Sequence, residues 1–385
     1  MTEPFDMRLV QRGARNRRTP YHEATQRYGP KGFTVYNHMY FPIRFDSFEA
    51  EFDALLNGVT LWDVSVERCL EISGPDGFRF AQLLTPRDLS RCAVGQGKYV
   101  LICDSDGGIV NDPVLTRMDD HTFWFALASS DALLFARGLK NAYPDLDVRI
   151  READVAPLQV QGPRSKDLMV KLLGPEILDL KYYFWTEAKI AGAPVVVTRT
   201  GWTSEVGYEV YLTETTKGTE VYESIMDAGE EFGIVPTGPS DIRRIEGAIF
   251  NWGADMTYEN NPIEMGLDRL VAWDLPDDAS ISLAALRRIR EAGPARRITG
   301  VEFDGAPFPE LNNVKWPAFD GREQIGKVTS AIHSPRLGRN IGYCWLPADR
   351  SSEGVSVRVE TEWGERSATV VPMPFVDPDK TIPVS

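Results

Sequence analysis

Two stretches of this chain are written in one local grammar, and that repetition constrains the fold more than any other feature. "LEISGPDGFRFAQLL", beginning at Leu70, and "LQVQGPRSKDLMVKLL", beginning at Leu158, each read as a short strand, a Gly-Pro turn and an amphipathic helix. An internal duplication of an α/β unit is the expectation. Further strands are expected at "GKYVLICD", "TFWFALA", "APVVVTRTG" and "GYEVYL", and helices at Lys217 to Phe232 and Ser240 to Phe250. After "DDASISLAALRRIREAGPARR" the texture changes. From Ile298 onward the chain is strand-rich and punctuated by turns, which fits a separate small β-barrel or sandwich. The division expected is an α+β body over residues 1–285, with an N-terminal arm over 1–30, and a β-barrel domain over 286–385.

Composition narrows the function. At 385 residues, 43% hydrophobic and 25% charged, the chain has the makeup of a soluble globular protein with several structural units. A formal net charge of -14 argues against a nucleic-acid surface, which needs a basic footprint. The basic arm "RLVQRGARNRR" has no apolar segment after it, so it reads as a solvated arm that packs on the acidic body or on a neighbouring subunit, and a homodimer is compatible with it. No apolar run approaches the roughly 18 residues of a membrane span, and no membrane partner is expected. The four cysteines and four histidines form no cluster at ligand spacing. Reduced, buried thiols, a cytoplasmic location and no metal are expected. Neither G-x-G-x-x-G nor a P-loop is present, which disfavours a nicotinamide or ATP enzyme.

One residue stands out in "RTGWTSEVGYEVYL". The alternation of Tyr208, Val210 and Leu212 predicts a strand with one buried face, and Glu209 interrupts it between two aromatics. Taken alone, such a carboxylate is best read as surface-facing and paired with a lysine.

An ordered set of motifs changes that reading. "LWDVS", "ISGPD", "LLTPRDLS", "GQGKYVLICDSDGGIVNDPV", "VQGPRS", "RTGWTSEVGYEV", "RRIEGAIFNWGADM", "NPIEMGL" and "IGKVTSAIHSPRLGRNIGY" follow one another along nearly the whole chain. Together they resemble the aminomethyltransferase family, the folate-binding T-protein of glycine cleavage and its relatives. The N-terminal half, "KGFTVYNHMYFPIRFDSFEAEFDALLNGVTLWDVSVER", is similar to a dimethylsulfoniopropionate demethylase branch, with Val66 where that branch usually has cysteine. The resemblance implies a body of two related subdomains around a central folate channel, with tetrahydrofolate as cofactor. It implies transfer of a methyl group from a small methylated donor, dimethylsulfoniopropionate first, to give 5-methyltetrahydrofolate. The alternatives are an O- or N-demethylase, an aminomethyltransferase on another substrate, or a non-catalytic folate-binding accessory protein.

The site residues follow from the same motifs. Glu209 corresponds to the family's pterin-contacting glutamate, where a carboxylate meets the donor edge of the ring with two hydrogen bonds. Asp112 corresponds to the aspartate near the reacting end of folate and is the catalytic candidate, with a turn residue as the plainer alternative; in aminomethyl transfer that aspartate is usually the second of two adjacent acids, and here Asn111 stands in place of the first. Tyr99, Trp202, Tyr208 and Arg244 complete the cofactor-binding expectation. For the donor, Tyr36 and Trp185 offer faces to a cation and Arg44 a partner for a carboxylate, with Lys31 as its substitute.

Overall fold

The computed structural model describes residues 13–385, so Arg8 and Arg12 of the basic arm lie outside the described residues. The described part of the arm is tied to the body: Arg17 pairs with Glu152 at 2.8 Å, and the Tyr21 hydroxyl donates to the Ala156 carbonyl at 2.8 Å.

Both copies of the repeated grammar are strand-turn-helix units. Strand Cys69–Ser73 leads into helix Gly77–Leu84, and strand Ala156–Gln161 into helix Ser165–Leu173. The turn glycines Gly74 and Gly162 have φ of +124° and +115°, and a Cβ on either would stand 2.6 Å from a backbone oxygen, of Asp147 and Gly58 respectively. No L side chain fits both conditions, so each Gly-Pro turn is fixed by sterics.

Each unit nucleates its own sheet. The first sheet is antiparallel, in the order Arg149–Glu152, Cys69–Ser73, Phe123–Ala126, Val114–Arg117, Gly97–Tyr99. Its core joins Leu70, Ile72, Phe123 and Phe125 to Phe80 and Leu84 of helix Gly77–Leu84 and to Ala132 and Ala136 of helix Ala132–Lys140. The second sheet runs Trp185–Ile190, Ala193–Thr198, Gly207–Leu212, Ala156–Gln161, Thr60–Asp63, Val235–Pro236, with only the last pair parallel. Its core joins Val160, Val197, Tyr208 and Val210 to Leu168 and Met169 of helix Ser165–Leu173 and to Val221, Tyr222 and Ile225 of helix Gly218–Gly229. Burying each such side chain contributes roughly 1.5–3 kcal/mol, so each sheet carries its own stabilising core.

Strand Gly207–Leu212 departs from expectation: all six of its residues are buried, not one face only. Tyr208, Val210 and Leu212 enter the core beneath the sheet, while Glu209 and Tyr211 face the first sheet, where the Tyr211 ring lies 6.3 Å from that of Trp124. The two sheets cover one another, and polar residues on the covered face are buried with them.

The helix expected from Ser240 to Phe250 is also shorter, running Asp241–Glu246 with the Ser240 side chain capping Arg243 N. Gly247 packs too closely on Ser204 for any side chain, and Ala248 takes φ +53°, so the chain leaves the helix there. Residues 248–252 are turned toward the space between the sheets.

The C-terminal strands close a six-stranded barrel in the order Arg296–Phe303, Arg339–Pro347, Glu323–Ser334, Trp316–Asp320, Ser356–Thr361, Gly364–Val371. Closure removes the exposed edges that a strand-rich segment would otherwise present. The barrel packs on the body through Ile242, Ile245 and Phe250 against Ile332, Ile341, Tyr343 and Trp345. The division expected after residue 285 falls inside helix Leu283–Ala292, whose Leu283 and Leu286 pack with Ile263 and Val271. All four cysteines are free and buried, and no helix of the described residues is long and apolar enough to cross a membrane.

Candidate active site

The covered faces of the two sheets do not meet everywhere, and between them lies a cavity of about 330 Å³. The second sheet and its loop contribute Trp62, Gln159, Thr200, Trp202 and Glu209; the first sheet side contributes Tyr99, Asp112, Val114 and Ala126. Tyr36 and Phe41 close it from the N-terminal hairpin, Phe250 and Trp252 from the segment after the short helix, and Lys380 and Pro383 from the segment after the barrel. Four lining residues other than glycine, Tyr183, Ser204, Ala248 and Lys380, hold positive φ, the kind of backbone strain that clusters at functional sites.

Glu209 is held from four sides. Gln159 Nε2 donates to Oε1 at 2.8 Å; the hydroxyls of Thr200, Tyr211 and Thr198 donate to Oε2 at 2.7, 3.1 and 3.3 Å. Three donors crowd Oε2 and one reaches Oε1, so Oε1 keeps accepting capacity. Burial pushes the Glu209 carboxyl up, while the four donors pull it down. This is a carboxylate oriented by its surroundings and offered to a donor edge.

Asp112 follows strand Ile109–Asn111 and turns its side chain into the cavity, where the Tyr99 hydroxyl donates to Oδ2 at 3.1 Å. Burial pushes its carboxyl up to about 7, with the Tyr99 hydrogen bond acting against that. Asn111 has a different task. Its amide donates to Ala128 O and Ser130 Oγ and its oxygen accepts from Ala128 N, which stitches the chain behind Asp112.

Of the residues expected from the sequence, Tyr36, Tyr99, Asp112, Trp202 and Glu209 all line this one cavity. Four stand outside its wall. Tyr208 is one position off Glu209, so strand alternation sends it into the opposite core, with its ring 5.1 Å from the Arg199 guanidinium. Arg244 is fully buried between body and barrel, donating to Asp241 at 2.7 Å, Asp255 at 3.0 Å and Ser330 at 3.0 Å. Trp185 donates its indole N–H to Arg117 O at 3.1 Å, and the Arg44 guanidinium lies 4.9 Å over the Phe48 ring. Lys31, the substitute for Arg44, pairs with Asp46 at 2.8 Å.

Sequence reasoning missed several residues of the wall. Glu67 lines the cavity, and burial followed by the charges of Glu209 and Asp112 pushes its carboxyl far up. Its chain neighbour Arg68 turns away and binds Glu152 through two nitrogens at 2.6 and 2.9 Å. Arg269 and Lys380 also line the cavity; burial and then Arg269 lower the pKa of Lys380. Lys380 comes from beyond the barrel, brought back because Arg199 donates to Pro383 O at 3.1 Å and Ser385 O at 2.6 Å. No local signal in the sequence announces such a return.

The result is a dipolar, aromatic-walled cavity, with carboxylates from both sheets and basic groups from the later chain. Comparison with known proteins places that arrangement. A solved structure, the glycine cleavage system aminomethyltransferase T of Bartonella henselae, superposes with a TM-score of 0.83 at 21% identity, covering 94% of this chain and 98% of that one, so the fold is shared. The GCVT N-terminal domain family matches residues 6–275, and the glycine cleavage T-protein C-terminal barrel domain matches 296–377. The chain belongs to this family and is an enzyme of its class, the tetrahydrofolate-dependent one-carbon transferases. Among its relatives, dimethylsulfoniopropionate demethylase DmdA of Ruegeria pomeroyi is 37% identical over 356 residues, 92% of this chain and 96% of the relative. An aminomethyltransferase of Bacillus subtilis is 29% identical over 363 residues, covering 93% and 99%.

Proposed function

We propose that the protein moves a methyl group from a cationic methylated donor, dimethylsulfoniopropionate first among them, to tetrahydrofolate. The observation that carries this reading is the meeting of Glu209, Asp112 and Tyr99 with aromatic walls in one cavity, each carboxylate held in place by hydroxyl or amide donors. The greater identity to the demethylase than to the aminomethyltransferases supports methyl rather than aminomethyl transfer.

The residues fit the pterin on their own chemistry. Glu209 Oε1 has capacity left for the donor edge of a flat ring, and Trp202 beside it offers an apolar wall. When bound, tetrahydrofolate supplies the 5-position nitrogen that takes the methyl group; the electron pair of the broken bond stays on the leaving sulfur and the ring proton passes to solvent. Asp112 sets its carboxylate where positive charge develops, and the Tyr99 hydroxyl fixes which oxygen faces the cavity. A neutral thioether leaves without a proton, so no general acid is required. Holding donor and acceptor in line then supplies most of the rate, an effect that reaches roughly 7–11 kcal/mol in well-aligned systems.

The test is to incubate the purified protein with tetrahydrofolate and, separately, dimethylsulfoniopropionate, glycine betaine, dimethylglycine or methoxylated aromatic acids, following 5-methyltetrahydrofolate by mass spectrometry. Product with an onium donor is expected. Product only with a methoxylated aromatic acid, or none with any donor, would overturn the reading.

A further inference from the structure

Five carboxylates line the cavity, and four of them are engaged by the protein itself, Glu205 by Arg243 at 2.6 Å and Asp241 by Arg244 at 2.7 Å. Glu209 accepts four hydrogen bonds and Asp112 accepts one from Tyr99. Glu67 has no hydrogen bond or ion pair to its side chain among the described residues; its backbone N–H alone is engaged, donating to Val64 O at 2.9 Å. The carboxylates of Asp112 and Glu209 and the phenols of Tyr36 and Tyr211 act on it electrostatically, while Arg199, Arg269 and Lys380 line the same cavity without pairing with it. Its neighbour Val66 is fully buried with Met39, Phe41 and Tyr36, which locks the backbone beside that aromatic wall. The adjacent cation, Arg68, is committed to Glu152.

A carboxylate half-buried in a cavity wall without a partner is costly, and a glutamine or a methionine of similar volume would fill the same space without that cost. What only a carboxylate can do here is meet a positive charge. A sulfonium or quaternary ammonium centre has no N–H or O–H to donate, so it is recognised by net charge and polarisable faces and not by directed hydrogen bonds. A bare carboxylate next to Tyr36 and Phe41 is that combination.

We propose that Glu67 is the counter-charge for the onium centre of the methyl donor, and that it makes the site select cationic donors over neutral ones of the same shape. This rests on the folate-dependent demethylase reading and names the donor class for it. Burial and the two neighbouring carboxylates favour the protonated form of Glu67, and a cation beside it favours the ionised form, so entry of the cation draws protons off Glu67. Binding of an onium donor therefore releases a proton, and binding of its carbon isostere does not.

The experiment is calorimetric titration of the full chain with dimethylsulfoniopropionate and with 4-methylpentanoate, which replaces the sulfonium by a CH, in two buffers of different ionisation enthalpy. Wild type is expected to prefer the sulfonium by at least about tenfold and to release a proton with it. Glu67→Gln should lose both the preference and the Glu67 proton while binding tetrahydrofolate as before, with an unfolding temperature no lower than wild type. Glu67→Asp, which keeps the charge, should retain part of the preference. A Glu67→Gln variant that still prefers the sulfonium by the wild-type factor overturns the role of Glu67 and leaves the demethylase reading standing. A wild type that binds tetrahydrofolate but neither compound overturns the onium donor class and Glu67 with it.

Discussion

Two buried charge clusters in this protein are built on opposite terms. The first joins body to barrel: Arg243 donates to Glu205 at 2.6 Å, Arg244 to Asp241 and Asp255, and Arg336 approaches Glu205 and Glu246 at 3.4 and 3.7 Å. Asp255 further accepts from Thr329, Ser330 and Asn251 N, and the Ser334 hydroxyl reaches Glu246. Cation is set against anion, and burial, which works against the Arg244 charge, is outweighed by Asp241 and Asp255. The second cluster is Glu67, Asp112 and Glu209, where no guanidinium or ammonium is paired with any of the three among the described residues, and burial raises the pKa of every one. In the first network every carboxylate has a guanidinium partner, although Arg243 Nη1 and Glu246 Oε2 make no hydrogen bond, and it serves the fold. The second leaves its carboxylates without counter-charges at a cavity wall, the pattern that distinguishes a binding site from a structural ion network.

That contrast can be broken at several points. The largest effect is expected from Arg244→Ala, which strands Asp255 and Asp241: a loss of about 3–5 kcal/mol in denaturant unfolding, with tetrahydrofolate affinity nearly unchanged in whatever protein remains folded. A loss below about 1 kcal/mol would show that the first network is not neutralised by Arg244.

Asp112→Asn should act in the opposite direction. The Asp112 carboxyl stands near 7 in the folded chain against an ordinary 3.8, so the folded state holds its proton more tightly than the unfolded one. Its contribution to stability is complete below the unfolded value and is lost as pH rises through 7. The variant should therefore gain stability over wild type at pH 8, by at most about 4 kcal/mol, and show no difference at the acid end. Turnover should fall in the same variant. In wild type kcat/KM should rise with pH through about 7, where Asp112 ionises, and the variant should lose that rise.

A third, smaller effect is expected from Glu209→Gln. Its four donors can rearrange around an amide oxygen, so unfolding should shift by less than about 1 kcal/mol, while tetrahydrofolate binding weakens by roughly 1.5–3 kcal/mol, about ten- to a hundredfold. Unchanged affinity by fluorescence or calorimetric titration would remove Glu209 from the cofactor site. The smallest effect belongs to Trp185→Phe. It deletes one hydrogen bond, to Arg117 O, outside the cavity, and should cost about 1 kcal/mol of stability with donor and cofactor binding intact.

The sequence alone determined what depends on neighbours along the chain. Gly74 and Gly162 fix their turns by sterics, alternation builds strand Gly207–Leu212, and the strand-rich texture after Ile298 forecasts a barrel, because each of these is written within a few residues. The ordered motifs carried the family, and through it Glu209, Asp112, Tyr99 and Trp202 of the cavity wall, while Tyr36 came from the need for an aromatic face toward a cation. Tertiary structure decided the rest. Only the stacking of two sheets buries both faces of one strand and separates Glu209 from Tyr208, and only the body-barrel contact takes Arg244 away from the cavity. No motif marks Glu67, which joins the cavity wall beside the N-terminal hairpin, and Lys380 reaches the cavity from 171 residues beyond Glu209 through the Arg199 contacts. The physical reason is common to all of them. Backbone conformation and periodicity are local properties, whereas burial, desolvation and the identity of a counter-charge belong to groups brought together only when the whole chain has folded.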